Sequence, residues 1–272
     1  MKHIFIFRGG LGNQMFQYAL LLALRHRGFI VSIDTTTYDY FQMHNGYELN
    51  RVFGITDDVK IRKGFGRFLQ RFILRYKICG LVSEDIMEYT SDILKAPKKY
   101  ITGWWQDARY FADIENEIRK VYQFEILDNN IRKLANEIHT HNSVSLHLRR
   151  GDYSTFGMQM IADAYYENAV KYVTGRVQNP MFYIFSDDKD EATKLAERLG
   201  IRYDVVTENT GDRSYYDMYL MSQCSHNIIA NSSFSWWGAW LNANPDKIVI
   251  CPKIWEPKTP NLAIQLPEWI KI

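Results

Sequence analysis

Excess charge, cysteine and long apolar runs are all scarce in this sequence of 272 residues. The 33 basic and 31 acidic residues leave a formal net charge of +2, which excludes a protein that binds nucleic acid through its whole surface. The three cysteines, Cys79, Cys224 and Cys251, are widely spaced, which argues against a zinc site or disulfide framework and predicts reduced thiols. No apolar stretch approaches the roughly 18 residues of a membrane-spanning helix.

The N-terminus and the overall composition indicate a cytoplasmic globular protein. The first apolar run, Ile4 to Phe7, has only four residues, whereas the apolar part of a secretory signal has roughly 7–15. We therefore expect no leader sequence. Hydrophobic residues make up 46% and charged residues 24% of the chain, which excludes disordered, collagen-like and coiled-coil classes. The length allows one large domain or two of about 135 residues each.

Alternating strand and helix patterns predict an α/β protein with two Rossmann-like lobes. Near the N-terminus, strands at 4–7 and 29–33 flank a helix at 15–26, with Gly28 as a C-terminal cap. After residue 142 the predicted strands are 144–148, 182–185, 203–206, 227–230 and 247–251, and the predicted helices are 163–174, 188–199, 214–223 and 234–242. We place the lobes at 1–125 and 126–272. Residues 35–110 show no clear periodicity, apart from helical spacing between 61 and 73.

A glycine-rich loop, Arg8 to Gln14, follows the first strand and precedes the first helix. Backbone amides at such a helix start can bind an anion, and Gly10 and Gly12 allow a ligand to approach the main chain. Met15 stands where a dinucleotide fingerprint needs its third glycine, and there is no Walker lysine. A tight turn without a ligand is the alternative, but the polar pair Asn13 and Gln14 at the start of an otherwise apolar helix favours a site.

A second cluster, His147 to Asp152, ends the strand that opens the second lobe, where ligands of open α/β sheets bind. Alternation along a strand places Arg149 and Arg150 on opposite sides. One arginine can grip a phosphate in bidentate fashion, and the other can pair with Asp152. A surface salt-bridge cluster is the alternative interpretation.

Acidic and hydroxyl-bearing residues follow two further strands. Asp188 to Asp190 spells a DxD pattern that can hold a divalent metal, but Ser186 or Asp187 also suits a helix N-cap; we assign Asp190 to the helix end and leave Asp187 and Asp188 open. Asn231, Ser232 and Ser233 form a second possible anion site at a helix start. Of the pair Trp236 and Trp237, one is expected in the core and one is available to stack on a sugar.

Four sequence blocks resemble the motifs of bacterial α-1,2-fucosyltransferases, which form glycosyltransferase family 11. They are the blocks 9–19 (GGLGNQMFQYA), 147–153 (HLRRGDY), 182–188 (FYIFSDD) and 231–238 (NSSFSWWG), in the family's order. The resemblance implies a GT-B fold with two lobes facing across a cleft. It also implies transfer of L-fucose from GDP-β-L-fucose to the 2-hydroxyl of a terminal galactose in a glycan of surface polysaccharide or O-antigen type, with inversion and without a cofactor or an obligatory metal.

The same resemblance implies roles for individual residues. Arg149 matches a diphosphate clamp and His147 a nucleoside contact, whereas Asp217 matches an acidic position that contacts guanine in related fucosyltransferases. The loop residues Ser232, Ser233 and Phe234 match phosphate contacts, and Asn13 matches an asparagine that reaches the reacting centre. The general base stays open between Asp152, Asp188 and a phosphate oxygen of the donor. The residues expected at the site are Gly10, Gly12, Asn13, His147, Arg149, Arg150, Asp152, Asp187, Asp188, Asp217, Asn231, Ser232, Ser233 and Phe234.

Two alternative functions remain open from the sequence. One is a fucosyltransferase that makes another linkage, because donor-side motifs are shared between linkages. The other is a nucleotide-sugar-binding module without turnover, which the 15% aromatic content permits.

The near-neutral sum conceals a basic stretch at 60–77, within a region from Val59 to Ser83 that has no acidic residue. Its seven cations are interleaved with aromatic and aliphatic residues at helical spacing. One interpretation is a surface that contacts an anionic membrane on the inner face, and the other is a helix packed on the N-terminal lobe with a solvated basic face.

Overall fold

The computed structural model describes residues 2–40, 44–57, 59–76, 81–84, 88–150, 161–256 and 264–272. The chain divides into two compact units, the first extending to Phe124 and the second beginning at Glu125. Each unit contains one parallel β-sheet with helices packed against it. No helix within these described ranges is both long enough and apolar enough to span a bilayer.

The first unit begins with the predicted β-α-β sequence. Its strands are β1 (Lys2–Ile6), β2 (Ile30–Asp34), β3 (Val59–Lys60), β4 (Leu81–Glu84) and β5 (Tyr100–Gly103). Its α-helices are α1 (Leu11–His26), α2 (Leu49–Phe53), α3 (Gly64–Tyr76), α4 (Asp92–Lys95) and α5 (Glu115–Val121), with 3₁₀ turns at Thr36–Asp39, Ala108–Tyr110 and Ala112–Ile114.

The first sheet has the strand order β3-β2-β1-β5-β4, and every described pairing is parallel. Helix α1 is buried around most of its circumference, as its apolar sequence predicts. It ends before Gly28, whose φ of +86° is the left-handed conformation expected of a glycine after a helix. Three strands of this sheet that the sequence did not predict, β3 to β5, lie in the region 35–110, and β5 is buried beside β1.

The second unit follows the predicted alternation closely. Its strands are β6 (Ser143–Leu148), β7 (Met181–Ser186), β8 (Tyr203–Val206), β9 (His226–Ile228), β10 (Val249–Cys251) and β11 (Ile270–Lys271). Its helices are α6 (Asn129–Ile138), α7 (Asp163–Thr174), α8 (Lys189–Leu199), α9 (Tyr215–Gln223) and α10 (Ser233–Leu241), with a 3₁₀ turn at Gly211–Arg213.

The second sheet has the order β11-β10-β9-β6-β7-β8 and is also parallel throughout its described pairings. Alternation along β7 divides the core: Phe182 and Ile184 pack with α7 and α8 on one face, whereas Tyr183 and Phe185 pack with α6 and α9 on the other. Both faces are therefore covered, which explains why the central strands are almost continuously apolar.

Candidate functional site

The strand order of the second sheet creates a switch point at the carboxyl end of β6. The chain proceeds from β6 to β7 on one side, and later places β9 on the other side. In open parallel sheets, the loops that leave two such strands diverge and leave a crevice for a ligand. Register aligns Leu146 of β6 with Ile228 of β9, so the segments after both strands emerge at the same edge. These segments carry Arg149 and Asn231.

The arginine turn lies directly beside the acidic segment after β7. Leu148 pairs in register with Ser186, and the backbone N–H of Arg150 donates to Asp187 Oδ1 at 3.0 Å. The Arg150 guanidinium donates to the Ile161 carbonyl at 2.8 Å and forms an ion pair with Asp163. Arg150 therefore holds the turn against the start of α7, and its predicted contact with a donor stays a prediction.

Arg149 directly follows β6 and is half-buried at the carboxyl edge of the sheet. The alternative partner considered for the arginine pair, Asp152, lies outside the described residues, so its proposed pairing and its candidacy as general base stay predictions. Among the described residues, the ion-pair partner of Arg150 is Asp163.

The serine loop lies next to His147 on the same edge. The rings of His147 and Phe234 are 6.2 Å apart, and Ser232 is the N-cap of α10, accepting a hydrogen bond from Phe234 N at 3.3 Å. The positive end of the nine-residue helix α10 lies at this loop, which suits an anion. The Asn231 amide donates to the Trp255 carbonyl at 3.3 Å, so Asn231 also fixes the loop.

The DxD pattern serves as a helix start. Asp188 is the N-cap of α8 and accepts from Glu191 N at 3.0 Å, while Asp190 lies in the first turn. The capping residue is thus Asp188 and not Ser186 or Asp187, because the strand β7 extends to Ser186. Across the described ranges, no three His, Cys, Asp or Glu side chains converge in a metal-binding arrangement. Metal independence itself stays a prediction.

Asp217 lies in the first turn of α9 and has an unusual protonation behaviour. Burial raises its pKa to about 7, while a 2.7 Å hydrogen bond from Asn209 Nδ2 to Asp217 Oδ1 opposes that rise. Asn209 is itself buried, and its Oδ1 has no hydrogen-bond partner among the described residues. When it is ionised, the Asp217 carboxylate can accept N–H donors of a ligand, together with the Asn209 amide oxygen.

The glycine loop of the first unit is held by two buried glutamines. Gln17 Nε2 donates to the carbonyls of Arg8 at 2.9 Å and Gly103 at 3.0 Å, and its Oε1 accepts from Arg8 N at 3.1 Å. Gln14 Nε2 donates to Gly9 O and Gly46 O, at 3.0 and 2.8 Å. Side-chain amides thus connect the end of β1 to two distant loops.

Asn13 projects from this fixed loop. Its Oδ1 accepts from Gln106 Nε2 at 2.5 Å, and Gln106 follows β5, the neighbour of β1. Gly9 has a φ of +83°, and a side chain there would come within 2.6 Å of Asn13 Nδ2. Gly10 is the N-cap of α1 and Gly12 lies in its first turn, as the anion-site interpretation requires.

Both tryptophans of the fourth block belong to the core, so the expectation that one of them is available to a sugar is wrong. Trp236 and Trp237 have no exposed area. Trp236 packs against Trp240 and Trp269, at ring distances of 6.1 and 5.5 Å. Helix α10 is buried almost all round, and it packs against α9.

The sequence matches the family described as glycosyl transferase family 11 over residues 4–272, nearly its whole length. This chain belongs to glycosyl transferase family 11. An α-1,2-colitosyltransferase of Escherichia coli is 33% identical, covering 97% of this chain and 96% of the relative. The O-antigen biosynthesis glycosyltransferase WbnK of Escherichia coli is 30% identical over 97% of this chain and 98% of the relative. Human galactoside α-(1,2)-fucosyltransferase 1 is 26% identical over 97% of this chain and 73% of its own length.

The fold of this family 11 chain is similar to that of solved fucosyltransferases. The α-1,6-fucosyltransferase NodZ, in crystals soaked with GDP-fucose, superposes with a TM-score of 0.55 at 15% identity, covering 96% of this chain and 97% of that one. A mutant of Arabidopsis thaliana FUT1 in complex with GDP gives 0.52 at 12% identity, covering 92% and 70%. The expected GT-B fold, with two Rossmann-like units, is therefore confirmed.

The structure brings most of the predicted site residues of the family 11 chain to one edge of the second sheet. They are His147, Arg149, Arg150, Asp187, Asp188, Asn231, Ser232, Ser233 and Phe234. Sequence reasoning singled out Gln14 only as the polar neighbour of Asn13, and it missed Gln17, Gln106, Asp163 and Asn209. Gln17 stands inside a block already singled out, so its polar character in an apolar helix was the available signal.

Proposed function

We propose that this family 11 protein transfers L-fucose from GDP-β-L-fucose to the 2-hydroxyl of a terminal galactose, with inversion at the sugar C1. One observation carries the proposal: Arg149, the Ser232 loop and the start of α10 meet at the switch point of the second sheet. A guanidinium, hydroxyls and a helix N-terminus are the groups that bind a diphosphate. The names of the human relative and of NodZ support fucose as the sugar.

The proposed mechanism follows from where charge develops. As the acceptor oxygen attacks C1 and the bond from C1 to the β-phosphate oxygen breaks, negative charge accumulates on the departing diphosphate. Arg149 and the donors at the start of α10 stabilise that charge and do the work a metal does elsewhere. Asn13, held by Gln106 through its Oδ1, is proposed to orient the reacting groups with its Nδ2.

The proton of the acceptor hydroxyl needs a base. Asp188 accepts a backbone hydrogen bond as the N-cap of α8, which commits one of its oxygens to the fold. We therefore assign the role to Asp152 or to a phosphate oxygen of the donor, and not to Asp188. Replacing Asp152 with Asn distinguishes these two, because only a side-chain base loses its pH-dependent turnover in that variant.

Colitose is the second sugar that an observation favours, since the E. coli relative that is 33% identical is a colitosyltransferase. Colitose differs from L-fucose by lacking one ring hydroxyl. The acceptor we propose is a galactose-terminated glycan of a surface polysaccharide, and the name of the O-antigen relative supports it. We propose that the transfer takes place at the cytoplasmic side of the membrane.

The test is GDP release from GDP-fucose and GDP-colitose in the presence of lactose and a panel of other galactosides, with and without EDTA. We expect GDP release with GDP-fucose, an α-1,2 linkage in the product by NMR, and no effect of EDTA. Faster turnover with GDP-colitose would mean that the donor is GDP-colitose and not GDP-fucose. A product with another linkage would mean that the acceptor hydroxyl is not the 2-hydroxyl of galactose. Tight GDP binding without turnover on any acceptor would favour the binding module.

A further inference from the structure

Helix α3 exposes a continuous row of aromatic rings, formed by Phe65, Phe68, Phe72 and Tyr76, which we call the aromatic ridge. Their exposed fractions are 77%, 63%, 41% and 55%. Successive ring centroids lie 6.3, 6.5 and 4.5 Å apart, so the rings form one surface. Single exposed apolar residues are ordinary, but a contiguous patch on a folded protein marks an interaction surface.

The same helix attaches to the first unit by a narrow face. Its two buried residues are Gln70 and Ile73, and Ile73 packs on Ile6 and Tyr100 of the sheet, with the half-buried Leu74 beside it. An amphipathic helix of a globular protein normally turns its apolar side toward the core. Helix α3 turns its aromatic side outward, which packing within the described residues does not explain.

Positive charge flanks the aromatic ridge. Arg67, Arg71 and Arg75 recur every fourth residue and are exposed, and none of the three forms an ion pair with a carboxylate in the described ranges. Arg62, by contrast, is paired with the fully buried Asp34 at 2.6 Å and serves the fold. The surface of α3 is therefore both apolar and cationic, with no acidic side chain anywhere on it.

We propose that α3 docks on an anionic membrane surface, with the aromatic ridge in the interfacial region and the three arginines on lipid phosphates. Charge complementarity selects this occupant, because acidic lipids match exposed arginines that have no carboxylate partner within the described ranges, while aromatic rings favour the membrane-water interface. Docking holds the enzyme beside acceptors that are attached to lipid. The inference does not depend on which sugar is transferred.

The experiment is co-sedimentation of the full-length protein with phosphatidylglycerol-rich vesicles and with pure phosphatidylcholine vesicles, at about 0.05 and about 0.5 M NaCl. We expect binding to the anionic vesicles that weakens at high salt. Reversing the charges, with Arg67→Glu, Arg71→Glu and Arg75→Glu together, should weaken that binding by about tenfold or more. Replacing Phe65, Phe68 and Phe72 with Ser should weaken it at both salt concentrations.

Matched controls separate this surface from general effects. Lys95→Glu, Lys133→Glu and Lys171→Glu together change the net charge equally on exposed positions elsewhere. Ile30→Ser, Leu127→Ser and Ile254→Ser remove three other exposed apolar side chains. Both controls should bind vesicles as the unmodified protein does. All variants should keep turnover on a soluble acceptor, which shows that they are folded.

Three results would overturn the proposal. The first is no sedimentation of the unmodified protein with anionic vesicles, and the second is equal loss of binding in test and control variants. The third is concentration-dependent dimerisation that the three Phe→Ser changes abolish while vesicle binding is absent, which would assign the aromatic ridge to a second copy of the chain.

Discussion

The carboxyl edges of the two sheets are built from different chemistry. In the first unit, the amides of Gln14 and Gln17 bind backbone groups, and the loop they hold carries two half-buried polar side chains, Asn13 and Arg8, whose guanidinium lies over the Trp104 ring. In the second unit, arginines, hydroxyls and a helix start lie at the ends of neighbouring strands, and Asp163 pairs with both Arg150 and Arg198. The first edge is a fixed scaffold, whereas the second has the charge that a diphosphate needs. Damage to the first should reduce stability, and damage to the second should reduce turnover.

The largest expected effect tests the second edge. Arg149→Ala should lower kcat by about 10²–10³-fold, because it removes a charged donor from the leaving diphosphate. The protein should stay folded, since the ion pair of Arg150 with Asp163 is retained in this variant. Steady-state kinetics with GDP-fucose and thermal melts measure both quantities. Arg176→Ala, at another exposed arginine, is the matched control; near-normal turnover of Arg149→Ala would remove the clamp from the mechanism.

The second prediction tests the first edge. Gln17→Ala should lower the free energy of unfolding by about 2–4 kcal/mol, because it leaves the buried carbonyls of Arg8 and Gly103 and the N–H of Arg8 without partners. Affinity for GDP should not change, because the nucleotide is proposed to bind the second unit. Chemical denaturation and calorimetry measure the two effects. The control Gln123→Ala, at an exposed glutamine of the same unit, should change neither the free energy of unfolding nor the affinity for GDP.

A reversed result for Gln17→Ala would be informative. Full stability would mean that water replaces the amide, and loss of GDP affinity would mean that the first edge belongs to the nucleotide site.

The third prediction concerns the pH dependence of donor binding through Asp217. Its pKa of about 7 lies far above the usual range of a carboxyl group, and only its ionised form accepts two N–H donors of a base. Affinity for GDP should therefore rise as pH rises toward 8, and at pH 6 it should be roughly tenfold below its plateau. Asp217→Asn should abolish this step, and Asp246→Asn should retain it. The phosphates of GDP titrate equally with all three proteins, so the difference isolates the carboxyl group.

Stability without ligand should change in the opposite direction. A carboxyl group whose pKa is raised by folding stabilises the fold in its protonated form, fully at acidic pH, and that contribution disappears as pH rises through about 7. Thermal melts of the free protein should show a loss of stability between about pH 4 and about pH 7 that Asp217→Asn lacks. An identical profile in both proteins would mean that Asp217 is solvated.

The parts of the fold that the sequence predicted are those with local signals. The predicted helix 163–174, which is followed by Gly175, and the predicted strand 203–206 match the structure at both ends. Strand β5 was missed, since four residues carry too little periodicity and its place beside β1 depends on pairing across nearly a hundred residues. Region 35–110 also consists largely of short elements, including the four-residue helix α4.

The candidate site divides in the same way. Arg149 and Ser232 were predictable because each directly follows a recognisable strand of the second sheet. Gln17 and Asn209 were not, because their roles depend on partners that only folding brings near, namely Gly103 for Gln17 and the start of α9 for Asn209. Charge near strand ends is thus visible in a sequence, while the amides that fix loops are not.

The smallest expected effect separates a fold role from a metal role at Asp188. As the N-cap of α8, its side chain needs only an oxygen acceptor for Glu191 N. Asp188→Asn retains that acceptor and should leave both melting temperature and turnover unchanged, whereas Asp188→Ala should cost about 1 kcal/mol of stability. A metal ligand behaves differently, because the loss of a carboxylate charge weakens metal binding whether or not the cap survives. If Asp188→Asn lost turnover and excess Mg²⁺ restored it, the second edge would bind its diphosphate mainly through a cation, and Arg149 would have only a secondary role in that binding.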